Sequence, residues 1–132
     1  MKRTLSASIY QISGVNGKKK KRIGFLGENI AVAFLQQEDH EILCRNIRFE
    51  KTEIGIISKN KNEIYFHEVK TRQNAQDCIP ATLISDEKIS RMHRAAELWQ
   101  ADQHSQAIVI FSLICIELNT QDQIIHYFPD IF

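Results

Sequence analysis

At 132 residues, with 43% hydrophobic and 25% charged side chains, the chain suits one domain with its own core, and wholesale disorder is excluded. The net charge of +1 hides a segregation: residues 1–22 carry seven basic side chains and no acidic one, leaving a net of −6 on the rest. Cys44, Cys78 and Cys115 show no CxxC spacing, and Cys44 and Cys115 sit in apolar strand-like runs. They read as reduced core residues of a cytoplasmic protein.

In chain order, "MKRTLSASIYQISGVNGKKKKR" (1–22) begins with Lys2 and Arg3. Ser6, Ser8, Gln11 and Ser13 then interrupt the apolar run that a signal peptide needs. The segment reads as a flexible basic arm in which Lys18, Lys19, Lys20, Lys21 and Arg22 are the candidates for phosphate contacts. Residues 23–132 read as a single domain. A helix is expected from Ile23, with Leu26, Ile30, Ala33 and Phe34 as its buried stripe, fading near "QQEDH". "EILCRNIRF" (41–49) is a strand, and "EIGIIS" (53–58) and "EIYFHEVKT" (63–71) form a hairpin around "KNKN". After a loop containing Pro80, a second helix starts at an N-cap, Ser85, with Asp86 and Glu87 suited to its positive end and Ile89, Met92, Ala96 and Trp99 facing the core. "AIVIFSLICIEL" (107–118) is a central strand buried on both faces, and "QIIHYF" is the last strand. The order α-β-β-β-α-β-β implies an α/β fold, a mixed β-sheet flanked by helices. No stretch approaches the roughly 18 apolar residues of a membrane span, so no membrane partner is expected.

Side chains two apart on a strand share a face. Phe66, Glu68 and Lys70 therefore point one way, and Tyr65, His67 and Val69 the other, which makes His67 a packing or exposed residue rather than a metal ligand. Glu53 and Gly55 share a face on the preceding strand. Carboxylates and a lysine gathered across a hairpin can hold a divalent cation and a phosphate. The plain reading of the same residues is a cross-strand ion pair.

The chain resembles the YraN-like family, which is similar to Holliday junction resolvases and shares the PD-(D/E)xK restriction-endonuclease-like core. The residues that carry the resemblance are Gly24, Gly27, Glu28, Ala31 and Leu35 in the first helix, then "LCRNIR" (43–48). Next come "TEIGII" (52–57) and "FHEVKTR" (66–72), then Lys88 opening the second helix and "FPDIF" at the end. Three departures stand out. Gly55 occupies the position of the motif aspartate, and Thr52 that of a glycine; the Arg-Phe-Asp usual at the fourth strand is also absent.

What the resemblance implies is a nucleic-acid partner, DNA before RNA, and a homodimer by analogy with resolvases. Glu68, Lys70 and Glu53 are the implied catalytic set, and Glu53, Glu68 and Glu28 the implied ligands of magnesium, or of manganese as its substitute. Arg72 and Lys88 join the basic arm as nucleic-acid contacts. Two functional readings follow. One is a catalytically degenerate nucleic-acid-binding protein with a nuclease-like fold, because Gly55 offers no ligand. The other is an active magnesium-dependent endonuclease in which Glu53 replaces the missing aspartate.

Overall fold

The computed structural model describes residues 8–13 and 20–131. Strands β2 (Glu41–Phe49), β3 (Thr52–Asn60), β4 (Glu63–Arg72), β5 (Ile108–Leu118) and β6 (Asp122–Phe128) form a mixed sheet flanked by helices α1 (Lys20–Gln37) and α3 (Asp86–Gln103). A further strand, β1 (Ser8–Ser13), pairs antiparallel with β6 and gives the sheet order β1-β6-β5-β4-β3-β2. Neither β1 nor helical structure before Ile23 is expected from the sequence. Ser8–Ser13 and residues 20–22, assigned to the free arm, belong to regular elements, while Lys18 and Lys19 lie outside the described residues.

All neighbouring strands run antiparallel except β4 and β5, which are parallel. A parallel pair needs a crossover, and the chain supplies one through a 3-10 turn (Ala75–Asp77), the short helix α2 (Pro80–Leu83) and α3. Local sequence explains the ends of α3. The Ser85 hydroxyl accepts from the Lys88 backbone N–H at 3.1 Å, and Asp86 and Glu87 lie in the first turn. At the other end His104 adopts a left-handed φ of 49°, and Ser105 N–H closes on Gln100 O at 2.9 Å.

Apolar side chains pack on both faces of the sheet. Met92, Ala95, Ala96 and Trp99 of α3 cover Ile54, Ile57, Phe66 and Phe111 on one face. Ala31, Phe34 and Leu35 of α1 cover Ile56, Ile114, Ile116 and Ile125 on the other. The buried stripe of α1 is thus Gly27, Ala31, Phe34 and Leu35, and Ala33 is exposed; the expected stripe was rotated on the helix. Gly27 explains the rotation, because it brings α1 against β4 where a Cβ would fall on the Thr71 hydroxyl and within 3.7 Å of Ile116 Cγ1. Gly27→Ala should cost about 1–3 kcal/mol by overpacking. Thr71→Ala in the same chain should recover most of that loss in urea unfolding, whereas strictly additive effects would remove this contact as the cause.

The cysteines also depart from expectation. Cys78 and Cys115 form a disulfide, and only Cys44, half-buried on β2, is a free thiol among the described residues. Among the described residues no helix is long and apolar enough to cross a membrane.

Candidate functional site

The β3–β4 hairpin turns through Lys61, at a left-handed φ of 57°, and its strands stay paired from Asn60 opposite Glu63 to Ile56 opposite His67. There the ladder stops. β4 continues beside β5 as far as Arg72 opposite Glu117, and β3 continues beside β2 as far as Thr52 opposite Phe49. The two hairpin strands therefore part at Gly55. On β2 the residue between the pairs Arg45–Ile56 and Ile47–Ile54 is Asn46, with a left-handed φ of 50°. A residue in that conformation breaks the alternation of the strand, and Cys44 and Ile47 accordingly pack on the same core cluster.

A cleft of about 240 Å³ opens at this parting, lined by Glu28, Asn46, Glu53, Gly55, Glu68, Val69 and Lys88. It gathers residues from α1, β2, β3, β4 and α3, so distant pieces of the sequence pattern meet in one place. Glu28 Oε1 accepts from Asn46 Nδ2 at 2.8 Å and from Arg45 Nε at 3.2 Å, while Arg45 also donates to Asn29 Oδ1 at 2.7 Å. These bonds tie α1 to β2. Arg45, Asn46 and Asn29 were not singled out as site residues. Arg45 and Asn46 belong to the "LCRNIR" segment that carries the family resemblance, while nothing in the sequence marks Asn29.

Glu68 is the best-enclosed acid of the cleft, its side chain 12% exposed. Lys88 Nζ lies 3.1 Å from Glu68 Oε2 and donates to the Glu53 carbonyl oxygen at 3.0 Å. Lys70 Nζ stands 3.8 Å from the other Glu68 oxygen, beside the cleft without lining it. Glu53 lines the cleft, but its side chain faces solvent and its carbonyl makes the contact with Lys88. Arg72 folds back to donate to Thr71 O at 2.8 Å. Lys20, Lys21 and Arg22 fall in the first turn of α1, which holds no acidic residue.

The expected three-carboxylate metal site is not assembled. Glu28, Glu53 and Glu68 share the cleft, but among the described residues no three His, Cys, Asp or Glu side chains are grouped so as to hold an ion. Gly55 contributes no oxygen, Glu28 is engaged by Arg45 and Asn46, and Glu68 is engaged by two ammonium groups. Magnesium demands near-octahedral oxygen coordination and depends on each of its few protein ligands. This donor set, as arranged, does not fit it.

His67, next to Glu68, faces the opposite side as alternation predicts and is fully buried. Its Nε2 is hydrogen-bonded to Ser58 Oγ at 2.7 Å and its Nδ1 to Ser112 Oγ at 2.5 Å, and Ser58 Oγ also meets His40 Nδ1 at 2.8 Å. This chain pins β4 between β3 and β5 immediately beside Glu68. Burial, and secondarily the nearby His40, hold the His67 pKa well below its ordinary value. As pH falls below about 6.5, the unfolded chain takes up a proton that the native state refuses, so stability is full above that pH and lost below it. The loss should reach about 1.4 kcal/mol per pH unit for this one group. Urea unfolding between pH 7.5 and 5 measures it, and the slope should shrink in His67→Gln; a flat profile would remove His67 as the cause.

Residues 27–116, which hold every residue lining the cleft, match "Uncharacterised protein family UPF0102". The chain belongs to the UPF0102 family. A UPF0102 protein of Caldicellulosiruptor saccharolyticus is 33% identical over 107 residues, covering 80% of this chain and 91% of the relative. One from Geobacter metallireducens is 33% identical over 113 residues (85% and 93%), and one from Clostridium botulinum 37% identical over 102 residues (76% and 83%). The UPF0102 match ends in β5, so β1 and β6 lie outside it.

Proposed function

We propose that this UPF0102 protein binds nucleic acid, DNA before RNA, on a restriction-endonuclease-like core, and that it does not cleave what it binds. The topology supports the core: an antiparallel β2-β3-β4 meander, a helical crossover to parallel β5, and α1 and α3 on opposite faces. The observation that carries the proposal is the Glu68–Lys88 pair beside Gly55. Where a nuclease needs two free carboxylates around a cation, this cleft has Glu68 paired with Lys88 and Lys70, Glu28 held by Arg45 and Asn46, and no side chain at Gly55. An active enzyme relying on Glu53 is the weaker reading, since that side chain points to solvent.

Binding is supported by the placement of the cations. The basic first turn of α1 lies about 9–12 Å from Glu28 along the helix axis, Arg22 being six residues and Lys20 eight residues before it at 1.5 Å each. Cations at the positive end of a helix dipole gain nothing from the helix itself, and an anionic backbone alongside would offset that cost. Fluorescence anisotropy with labelled duplex DNA, single-stranded DNA and RNA at low salt tests this directly. Absence of affinity for all three would end the reading.

The incomplete metal site carries a prediction of its own. A Cβ on Gly55 would sit 3.7 Å from His67 O and 3.8 Å from Val69 Cγ2, ordinary contact distances. Gly55→Asp therefore places a carboxylate in the cleft without forcing the backbone. Affinity for manganese should rise at least about tenfold in calorimetric titration. Glu68→Ala in that background should cancel the gain, and unchanged affinity in Gly55→Asp would show that residue 55 does not face the position a cation would take.

A further inference from the structure

The Cys78–Cys115 disulfide spans 37 residues of sequence, with the two Cα atoms 5.6 Å apart. Cys115 is fully buried on β5, where its register partner on β4 is Lys70. Cys78 follows the 3-10 turn and packs with Leu83, Leu113 and Phe128. Residues 73–77, between Arg72 and Cys78, are all exposed. Two backbone hydrogen bonds of this turn, Asp77 N–H to Asn74 O and Cys78 N–H to Ala75 O, are internal to it. Within residues 73–78 Cys78 is the buried residue, and its disulfide joins this stretch to β5. The same stretch of chain, residues 73–84, joins the strand that carries Glu68 and Lys70 to the helix that carries Lys88.

We propose that the Cys78–Cys115 pair is a redox-interconvertible tether, cycled by a small-molecule thiol/disulfide couple, that sets the seating of residues 73–84 and through it the Glu68–Lys88 pairing. Its effect on binding rests on the nucleic-acid reading above. In the reductive direction, the exposed turn of residues 73–77 opens to uncover Cys78, which is itself buried; an external thiolate then attacks Cys78 Sγ, and the Cys115 thiolate leaves and takes a proton. A second external thiolate then attacks the mixed disulfide and releases Cys78. Two external thiols become one external disulfide, and the protein disulfide becomes two thiols. The third cysteine does not compete, because Cys44 is on β2, three places from β5 in the sheet.

The test uses the full-length chain equilibrated in graded ratios of reduced to oxidised dithiothreitol, quenched in acid and alkylated with N-ethylmaleimide. Mass spectrometry should find two interconverting species, one alkylated at Cys44 alone and one at Cys44, Cys78 and Cys115. Amide exchange in residues 73–84, extending to the first turn of α3, should be roughly tenfold faster in the reduced species, with β3 to β5 unchanged. Cys78→Ser, which leaves the buried Cys115 in place, should show the fast pattern at every ratio. Affinity for a mixed-sequence DNA duplex should differ at least about threefold between the two species. Equal exchange in the two species, three accessible thiols at every ratio, or the slow pattern in Cys78→Ser each overturns the proposal, as does equal DNA affinity. Absence of DNA binding in both species, with the exchange contrast intact, instead counts against the nucleic-acid reading and leaves the tether supported.

Discussion

Affinity for mixed-sequence duplex DNA should fall about 500-fold between 50 and 200 mM monovalent salt if five cations meet phosphates, because each neutralised phosphate contributes about −0.9 to the slope of log affinity against log salt. The five are Lys20, Lys21 and Arg22 at the start of α1, and Lys70 and Arg72 along β4. Lys88 is left out of the count because Glu68 and the Glu53 carbonyl already hold its ammonium. Replacing Lys20, Lys21 and Arg22 together with glutamine should reduce the slope by about 2.7 and weaken binding of every sequence alike. Deleting residues 1–22 would be a poorer probe, since it also removes β1 from the edge of the sheet and cuts into α1. A salt-independent affinity would rule out phosphate contacts as its source.

Trp99→Ala should lower stability by about 3–5 kcal/mol, a large part of what holds a domain of this size together. Trp99 is 8% exposed and its ring meets Phe66 edge-on, with centroids 6.0 Å apart. Phe66 also contacts Phe111, so removing the indole leaves a void against both β4 and β5. Phe66 is two residues before Glu68 on the same face of β4, so the loss should reach the cleft as well as the core. Urea unfolding followed by circular dichroism gives the magnitude. Trp99 is the chain's single tryptophan, so its emission reports this site alone, and a spectrum of water-exposed indole in the folded protein would contradict the placement.

The two long helices and the strands β2 to β6 were legible because each carries its own local signal, whereas the 3-10 turn at Ala75–Asp77 and the four-residue α2 lie in the stretch read as a loop. The four central strands alternate or run apolar, and Ser85 with its two following acids marks the start of α3. β1 was not legible. "SIYQIS" is half polar and sits among basic residues, and what makes it a strand is its pairing with β6, with Ser8 opposite Tyr127. The disulfide was hidden for a similar reason. Nothing in the spacing of Cys78 and Cys115 marks a pair; the return of the crossover over β5 brings them together. At the cleft, alternation gathered Glu53, Gly55 and Glu68 and turned His67 away from them, while its burial became visible only in the fold. It could not show that Lys88 reaches across from α3 to Glu68, or that Arg45 and Asn46 engage Glu28. Those contacts depend on how the helices dock, which strand periodicity does not encode.

The most direct test is a cleavage assay with the purified full-length wild type on branched, linear duplex and single-stranded DNA, first in magnesium and then in manganese. The assay is run at protein concentrations where anisotropy shows the substrates bound. Binding without cleavage predicts that all three substrates stay intact in both metals, because Glu68 and Glu28 are already engaged by the protein's own cations and Gly55 supplies no ligand. Metal-dependent cleavage by the wild type, abolished by Glu53→Ala, would contradict it and establish Glu53 as the working ligand.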